Sequence, residues 1–108
     1  MRRLALADVQ ADLLKKIAAD LGEGHEVLTL VVDVTDEADV QKMVDDTIAK
    51  FGRLDYAVNC AGIAGQSDSM SAFSLEMYEK VIAVNQRGVF LSMRAQLAAL
   101  AKQDLVDG

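Results

Sequence analysis

The sequence has no proline and no tryptophan, and its 108 residues include one cysteine and one histidine. A single cysteine cannot form an internal disulfide, and this composition offers no set of metal-ligating side chains. These absences exclude a disulfide-stabilised scaffold and predict no metal site. An unpaired cysteine fits a reducing compartment, so we expect a cytoplasmic protein.

Long apolar runs are also missing from this sequence. No stretch approaches the roughly 18 apolar residues of a membrane span, and Asp8 ends the apolar run that follows Met1-Arg2-Arg3 too early for a signal peptide. Acidic residues outnumber basic ones by 17 to 11, which gives a formal net charge of −6. Because an acidic surface repels phosphate backbones, we predict binding to neither membrane nor nucleic acid.

The hydrophobic content of 52% and the length of 108 residues are typical of one small globular domain. Continuous or short apolar runs alternate along the chain with amphipathic segments of helical spacing, which predicts an α/β fold with a parallel sheet. Val27–Val32 is rich in valine and predicts a strand covered on both faces. The predicted strands are Leu4–Ala7, Val27–Val32 and Leu54–Val58, and the predicted helices span 9–21, 36–51 and 74 to about 103.

Several residues mark where these helices begin, end or bend. Thr35 is the predicted N-cap of the second helix, and Gly52 follows its last turn. Ser74 is placed to cap the last helical region. Asn85 and Gly88 lie within that region, where neither residue favours a regular helix, so we expect a break there.

A polar side chain follows each predicted strand: Asp8, Asp33 and Asn59. Ligands of open α/β sheets bind beyond the carboxyl ends of the strands, but Asp and Asn also serve simply as turn and capping residues, and both interpretations remain open. If a dinucleotide binds, the Asp8 carboxylate is suited to two ribose hydroxyls and would repel a 2′-phosphate. This favours NAD over NADP.

Small residues follow the third predicted strand in the stretch Asn59-Cys60-Ala61-Gly62-Ile63-Ala64-Gly65. Glycines allow a flat ligand to approach the backbone, but they also allow a tight turn. The residues alone do not separate these two interpretations.

Four motifs resemble the short-chain dehydrogenase/reductase family, in family order and with family spacing. "LALAD" resembles its second strand, "LVVDVTD" its third strand, "NCAGIA" its Asn-x-Ala-Gly motif and "VIAVNQRGVF" its Val-Asn-x-x-Gly-x-Phe helix. The resemblance implies a Rossmann-like doubly wound parallel sheet and hydride transfer between NAD(H) and a small-molecule alcohol or carbonyl substrate. It covers essentially the whole chain.

The resemblance also implies roles for individual residues. Asp8 would hold the adenosine ribose, Asp33 the adenine amino group, and Val34 would line the adenine pocket. The remaining cofactor residues would be those that pack along NAD and steady the central strand, namely Asn59, Ala61 and Gly62. Asn85 would be the catalytic asparagine, which interrupts its helix and holds a water molecule of a proton relay.

Other parts of the family pattern are missing from residues 1–108. The sequence has no glycine-rich pyrophosphate loop after a first strand, no catalytic Ser beyond Asn85 and no Tyr-x-x-x-Lys motif. We therefore expect a partial NAD-binding domain, comprising the second to fourth strands without the first strand and the C-terminal half, and inactive by itself. Its third strand would need a partner strand, unless Leu54–Val58 pairs directly with Leu4–Ala7.

A second hypothesis is a non-catalytic interaction module that pairs with full-length relatives through open sheet edges or its last helix. That helix carries an apolar stripe at Phe90, Met93, Leu97 and Leu100. The simplest interpretation of the stripe is core packing, and the resemblance implies the alternative, which is a helix bundle between subunits of a homo-oligomer.

Overall fold

The computed structural model describes residues 2–106, which form an α/β arrangement of two parallel strands and four α-helices. A short 3-10 turn, Met70–Ala72, precedes the third helix, and a π-helical turn, Ala83–Arg87, joins the third helix to the fourth. The elements are β1 (Arg2–Asp8), α1 (Ala11–Asp20), β2 (His25–Val31), α2 (Glu37–Phe51), α3 (Leu75–Ile82) and α4 (Gly88–Ala101).

The two strands and the helix between them form the parallel unit that the sequence predicts. The register runs from Arg2 opposite His25 to Asp8 opposite Val31, and the Val32 N–H donates to the Asp8 carbonyl at 3.0 Å. Because the strands are parallel and in this register, their carboxyl ends meet at one edge of the sheet. Asp8 and the loop that follows β2 are thereby brought to the same edge.

The expectation that β2 is covered on both faces is wrong. Its residues are half-buried or exposed and none is buried, and Val31 exposes 62% of its surface. A sheet of two strands is too narrow to shield its residues from every side, because a buried parallel strand needs neighbouring strands as well as helices.

The core lies where α2 packs against α4 and the sheet. Val40 is almost fully buried, with 1% of its surface exposed, and Val44, Leu91 and Val32 are buried with it. The N-cap of α2 is Asp36 and not the predicted Thr35, because the Asp36 carboxylate accepts from the Ala38 and Asp39 N–H groups. Gly52, with φ +85°, ends α2 as expected.

The third predicted strand, Leu54–Val58, does not form among the described residues. Residues 53–69 carry no regular secondary structure, and β1 pairs only with β2 within this range. Tyr56 and Val58 are 91% and 85% exposed. A strand needs a ladder partner, and in the Rossmann strand order the partner here would be a first strand, which residues 2–106 do not contain.

The last helical region confirms one expectation and overturns another. Ser74 caps α3 by accepting from the Met77 N–H at 3.1 Å, and the expected break at Asn85 takes the form of the π-helical turn. The simplest interpretation of the apolar stripe, core packing, is wrong, because Phe90, Met93 and Leu97 are about half exposed. The buried face of α4 instead carries Leu91, Ser92 and Gln96.

Candidate functional site

The candidate site begins with two carboxylates at the carboxyl edge of the sheet. Asp8 ends β1 and is exposed, and its Oδ1 accepts from the Gln10 N–H at 2.9 Å. This contact fixes the carboxylate above the turn into α1. No other hydrogen bond to the Asp8 side chain occurs within residues 2–106, so Oδ2 keeps its capacity to accept from a ligand hydroxyl.

Asp33 organises the loop after β2, here called the β2–α2 loop (residues 32–36). Its Oδ1 accepts from the Thr35 hydroxyl at 2.7 Å and from the Thr35 N–H at 2.9 Å. These bonds, the hydroxyl first, lower the pKa of the Asp33 carboxyl, because they stabilise its charged form. Asp39 accepts from the Asp33 N–H at 3.1 Å, which ties the loop to the first turn of α2.

The β2–α2 loop is also held from the π-helical turn. Arg87 Nη1 donates to the Thr35 carbonyl at 2.8 Å. Gly88 lies so close to Val34 that a Cβ added there would be 2.6 Å from Val34 Cγ2. Arg87 could not be predicted from the sequence, because an exposed arginine in a helix gives no signal of the carbonyl that it contacts.

Asn59 and Gln96 form a reciprocal pair of side-chain amides. Asn59 Nδ2 donates to Gln96 Oε1 at 2.8 Å, and Gln96 Nε2 donates to Asn59 Oδ1 at 2.9 Å. The Gln96 side chain belongs to the buried face of α4. The Asn59 amide therefore points toward the helix, which leaves mainly its backbone to face a ligand.

Asn85 makes a similar two-way contact with backbone. Its Oδ1 accepts from the Ile63 N–H at 2.8 Å, and its Nδ2 donates to the Ile63 carbonyl at 2.9 Å. The amide oxygen and nitrogen each keep one further hydrogen-bonding position. An ordered water at this point is therefore chemically compatible with the contacts that Asn85 already makes. π-helical turns are frequent at functional sites.

A third amide holds the start of the same irregular segment. Gln103 Oε1 accepts from the Leu54 N–H at 2.7 Å, and Gln103 Nε2 donates to the Leu54 carbonyl at 2.6 Å. The positioning roles of Gln96 and Gln103 were not predicted from the sequence. Their only signal is the occurrence of one glutamine within the alanine- and leucine-rich run of α4 and of a second two residues after its end.

Ala61 and Gly62 lie between these anchored points and are exposed to solvent. A Cβ added at Gly62 would lie 3.4 Å from Asn85 Oδ1. This is the short end of ordinary van der Waals contact, so a methyl group here would touch the Asn85 amide. The exposed small residues leave an open surface of backbone beside Asn85, which fits the approach of a flat ligand.

The structure brings the site residues together in two groups. Asp8, Asp33 and Val34 lie at the carboxyl edge of the sheet, and Asn59, Ala61 and Gly62 lie on the irregular segment contacted by Asn85 and Gln96. Among residues 2–106 no group of three or more His, Cys, Asp or Glu side chains could hold a metal ion. No helix in this range is long and apolar enough to cross a membrane.

Known proteins are similar to this chain in both sequence and arrangement. Residues 2–106 match a family model described as enoyl-(acyl carrier protein) reductase. Levodione reductase of Leifsonia aquatica is 38% identical over 104 residues, which cover 94% of this chain and 39% of that protein. 2-(R)-hydroxypropyl-CoM dehydrogenase of Xanthobacter autotrophicus is 37% identical over 105 residues, covering 94% of this chain and 42% of that protein.

Solved structures agree with the sequence matches. The crystal structure of levodione reductase superposes with a TM-score of 0.90 at 38% identity, covering 94% of this chain and 40% of that one. NAD+-bound xylitol dehydrogenase superposes with a TM-score of 0.88 at 29% identity, covering 91% of this chain and 38% of that one. The chain thus spans about two fifths of the length of the relatives that it matches.

Proposed function

This chain belongs to the short-chain dehydrogenase/reductase family, and we propose that it forms the adenosine-binding part of an NAD-dependent oxidoreductase site. The observation that carries the proposal is the meeting of Asp8 and the β2–α2 loop at one sheet edge. Ligands of open α/β sheets bind at this edge. We further propose that it is a partial domain, which is supported by its coverage of about two fifths of its relatives.

The contacts at this edge support separate roles for the cofactor residues. Asp8 keeps a free carboxylate oxygen for ribose hydroxyls, and its charge opposes a 2′-phosphate, which supports NAD over NADP. Asp33 uses Oδ1 to hold its own loop and has Oδ2 left for the adenine amino group. Val34, half-buried against Gly88, supplies an apolar wall for the adenine ring.

The second group of residues suits the other end of the cofactor. The exposed backbone of Ala61 and Gly62, with Asn59 turned toward Gln96, offers a smooth surface along which a dinucleotide would pack. Asn85 is the proposed catalytic residue, since its amide is fixed on Ile63 and retains positions for a relay water. A bound NAD would accept a hydride, and its reduced form would donate one.

The whole reaction requires groups that residues 2–106 do not provide. No tyrosine and lysine pair in the spacing Tyr-x-x-x-Lys occurs in the sequence, so these residues lack the pair that the family resemblance implies for proton exchange with a substrate hydroxyl. We propose that the chain by itself is inactive. The proposed substrates of the complete site are small alcohols or carbonyl compounds, and the proposed location is the cytoplasm.

The proposal is tested in a chimera, here called the exchange enzyme. In this chimera residues 2–106 of the present chain replace the matching segment of levodione reductase, so that the enzyme is complete. Replacing Asp8 with Ala should raise KM for NAD about tenfold or more, because hydrogen bonds to a charged carboxylate are lost. KM for NADP should stay equal or fall, since a repulsive charge is removed. Asp12→Ala, which changes an exposed acidic residue in the first turn of α1, is the matched control.

Equal losses with NAD and NADP would contradict the role of Asp8. No detectable NAD binding by the unsubstituted exchange enzyme would contradict the proposal for the whole site.

A second candidate function, a non-catalytic interaction module, is favoured by one observation. Phe90 and Leu97 each expose 58% of their surface on the outer face of α4, and Met93 lies between them at 47%. An apolar stripe of this kind is typical of a protein contact surface. Such a module would pair with full-length relatives through α4. For the leading proposal, the family resemblance assigns the same helix to subunit contacts, so we propose a homo-oligomer formed through α4.

A further inference from the structure

Two parts of the proposed cofactor site meet at a single turn of helix. The π-helical turn Ala83–Arg87 carries Asn85, whose amide is bonded to Ile63 in both directions. Two residues later it ends in Arg87, whose guanidinium donates to the Thr35 carbonyl. One five-residue turn therefore contacts both the β2–α2 loop and the small-residue segment.

The contact with the β2–α2 loop is tight as well as polar. Gly88, which begins α4, has no room for a Cβ, since that atom would lie 2.6 Å from Val34 Cγ2 and 3.1 Å from Val34 Cβ. The loop is internally stiff, because Asp33 Oδ1 accepts two bonds from Thr35. A displacement of Thr35 would therefore act on the turn through both a hydrogen bond and a packing contact.

We propose that this turn mechanically joins the two ends of the cofactor site and that Arg87 is the positioning residue of the joint. The inference rests on the proposed function, since it assigns the β2–α2 loop to adenosine and Asn85 to the reacting end. Arg87 contacts the loop backbone, so its proposed action is through the placement of Thr35 and Asn85. Binding at the adenosine end then steadies the Asn85–Ile63 contact.

The test uses hydrogen exchange in the exchange enzyme with adenosine monophosphate, which occupies only the adenosine end. The reporter is the Ile63 N–H, which donates to Asn85 Oδ1 at 2.8 Å. Saturating adenosine monophosphate should slow exchange of this N–H about fivefold or more, the usual lower range of coupling between sites. In Arg87→Met this distant protection should be lost, although the ligand is again saturating.

Two further variants separate positioning from general destabilisation. Arg87→Lys keeps a charged donor and should restore part of the protection. Arg53→Met removes a guanidinium that contacts Asp55 and the Asp104 carbonyl, away from the turn, and should leave the protection unchanged. Equal protection of Ile63 in Arg87→Met, or none in the unsubstituted enzyme that binds the nucleotide, would overturn the inference.

Failure of the proposed function has a different signature. If adenosine monophosphate and NAD do not bind at all, the assignment of the ligand is wrong, and the ligand-free measurement still tests the joint. Arg87→Met should then speed exchange at both the Thr35 and Ile63 N–H groups. Faster exchange at Thr35 alone would show that the turn does not couple the two segments.

Discussion

Gly88 offers the sharpest test of how closely α4 approaches the β2–α2 loop. Replacing it with Ala inserts a Cβ 2.6 Å from Val34 Cγ2, 3.1 Å from Val34 Cβ and 3.4 Å from the Ala83 carbonyl oxygen. Ordinary contact between such atoms requires about 3.5–4.0 Å. Valine is β-branched and stiff at χ1, so its side chain has little freedom to turn away. The helix or the loop must therefore shift by roughly 1 Å.

The energetic balance of this substitution has two opposing parts. Overpacking in a well-packed contact costs about 1–3 kcal/mol. Replacing glycine with alanine inside a helix gains about 1 kcal/mol in propensity. We therefore expect Gly88→Ala to be destabilising by up to about 2 kcal/mol, the difference between the larger overpacking cost and the propensity gain.

The assay is urea unfolding of the exchange enzyme, followed by circular dichroism. Val34→Ala removes Cγ2, which is the atom nearest to the new Cβ. The free energy of unfolding of the double variant should therefore be about 1–3 kcal/mol higher than the sum of the two single effects predicts. Helix propensity alone predicts that Gly88→Ala raises the free energy of unfolding by about 1 kcal/mol. Such an increase would refute the close packing of Gly88 against Val34.

Two further predictions concern the surface of α4 and the β2–α2 loop. Leu97→Glu should convert an oligomer into monomers in sedimentation experiments, whereas Lys102→Glu, an exposed change of charge at the helix end, should not; a monomeric parent would contradict the contact through α4. The pKa of Asp33 is lowered in the folded protein from its ordinary value of 3.8. Its contribution to stability is therefore present at a pH above the pKa of the unfolded chain and is lost as the pH falls through the pKa of the folded protein. The free energy of unfolding should therefore fall slightly in acid, by under about 1 kcal/mol because Asp33 is exposed. This decrease should be absent in Asp33→Asn, and an equal decrease in that variant would contradict the assignment.

Local signals in the sequence located most of the elements. The apolar run before Asp8 and the valine-rich run near residue 30 predicted both strands that form. Gly52 correctly predicted the end of α2, and Ser74 correctly predicted the start of α3. These features depend on residues close in sequence, such as a left-handed glycine or a side chain that accepts from an N–H three residues on.

The features that sequence failed to predict depend on distant residues. Leu54–Val58 has strand propensity, but a strand forms only with a ladder partner. The α4 stripe is apolar, but Leu91 and Ser92 face the core instead of Phe90. Helical periodicity identifies an apolar face without indicating what covers it, so a contact surface between subunits and a core face look alike.

The irregular segment 54–63 shows how a site can be positioned without a sheet ladder. Three amide side chains of the last helical region hold it through six hydrogen bonds of 2.6–2.9 Å, at Leu54, Asn59 and Ile63. Each amide both donates and accepts, so each contact fixes position and orientation together.

The backbone between Asn59 and Ile63 is therefore anchored at both ends by helices. Its placement beside Asn85 depends on the helical region that runs from α3 to α4, because no strand of the described sheet contacts it through a ladder. The side chains at positions 85, 96 and 103 thus position the proposed cofactor surface, although Gln96 and Gln103 have no proposed contact with a ligand. Substitutions of these glutamines would act on that surface by moving its backbone, whereas substitutions of Asp8 would directly remove the proposed ligand contact.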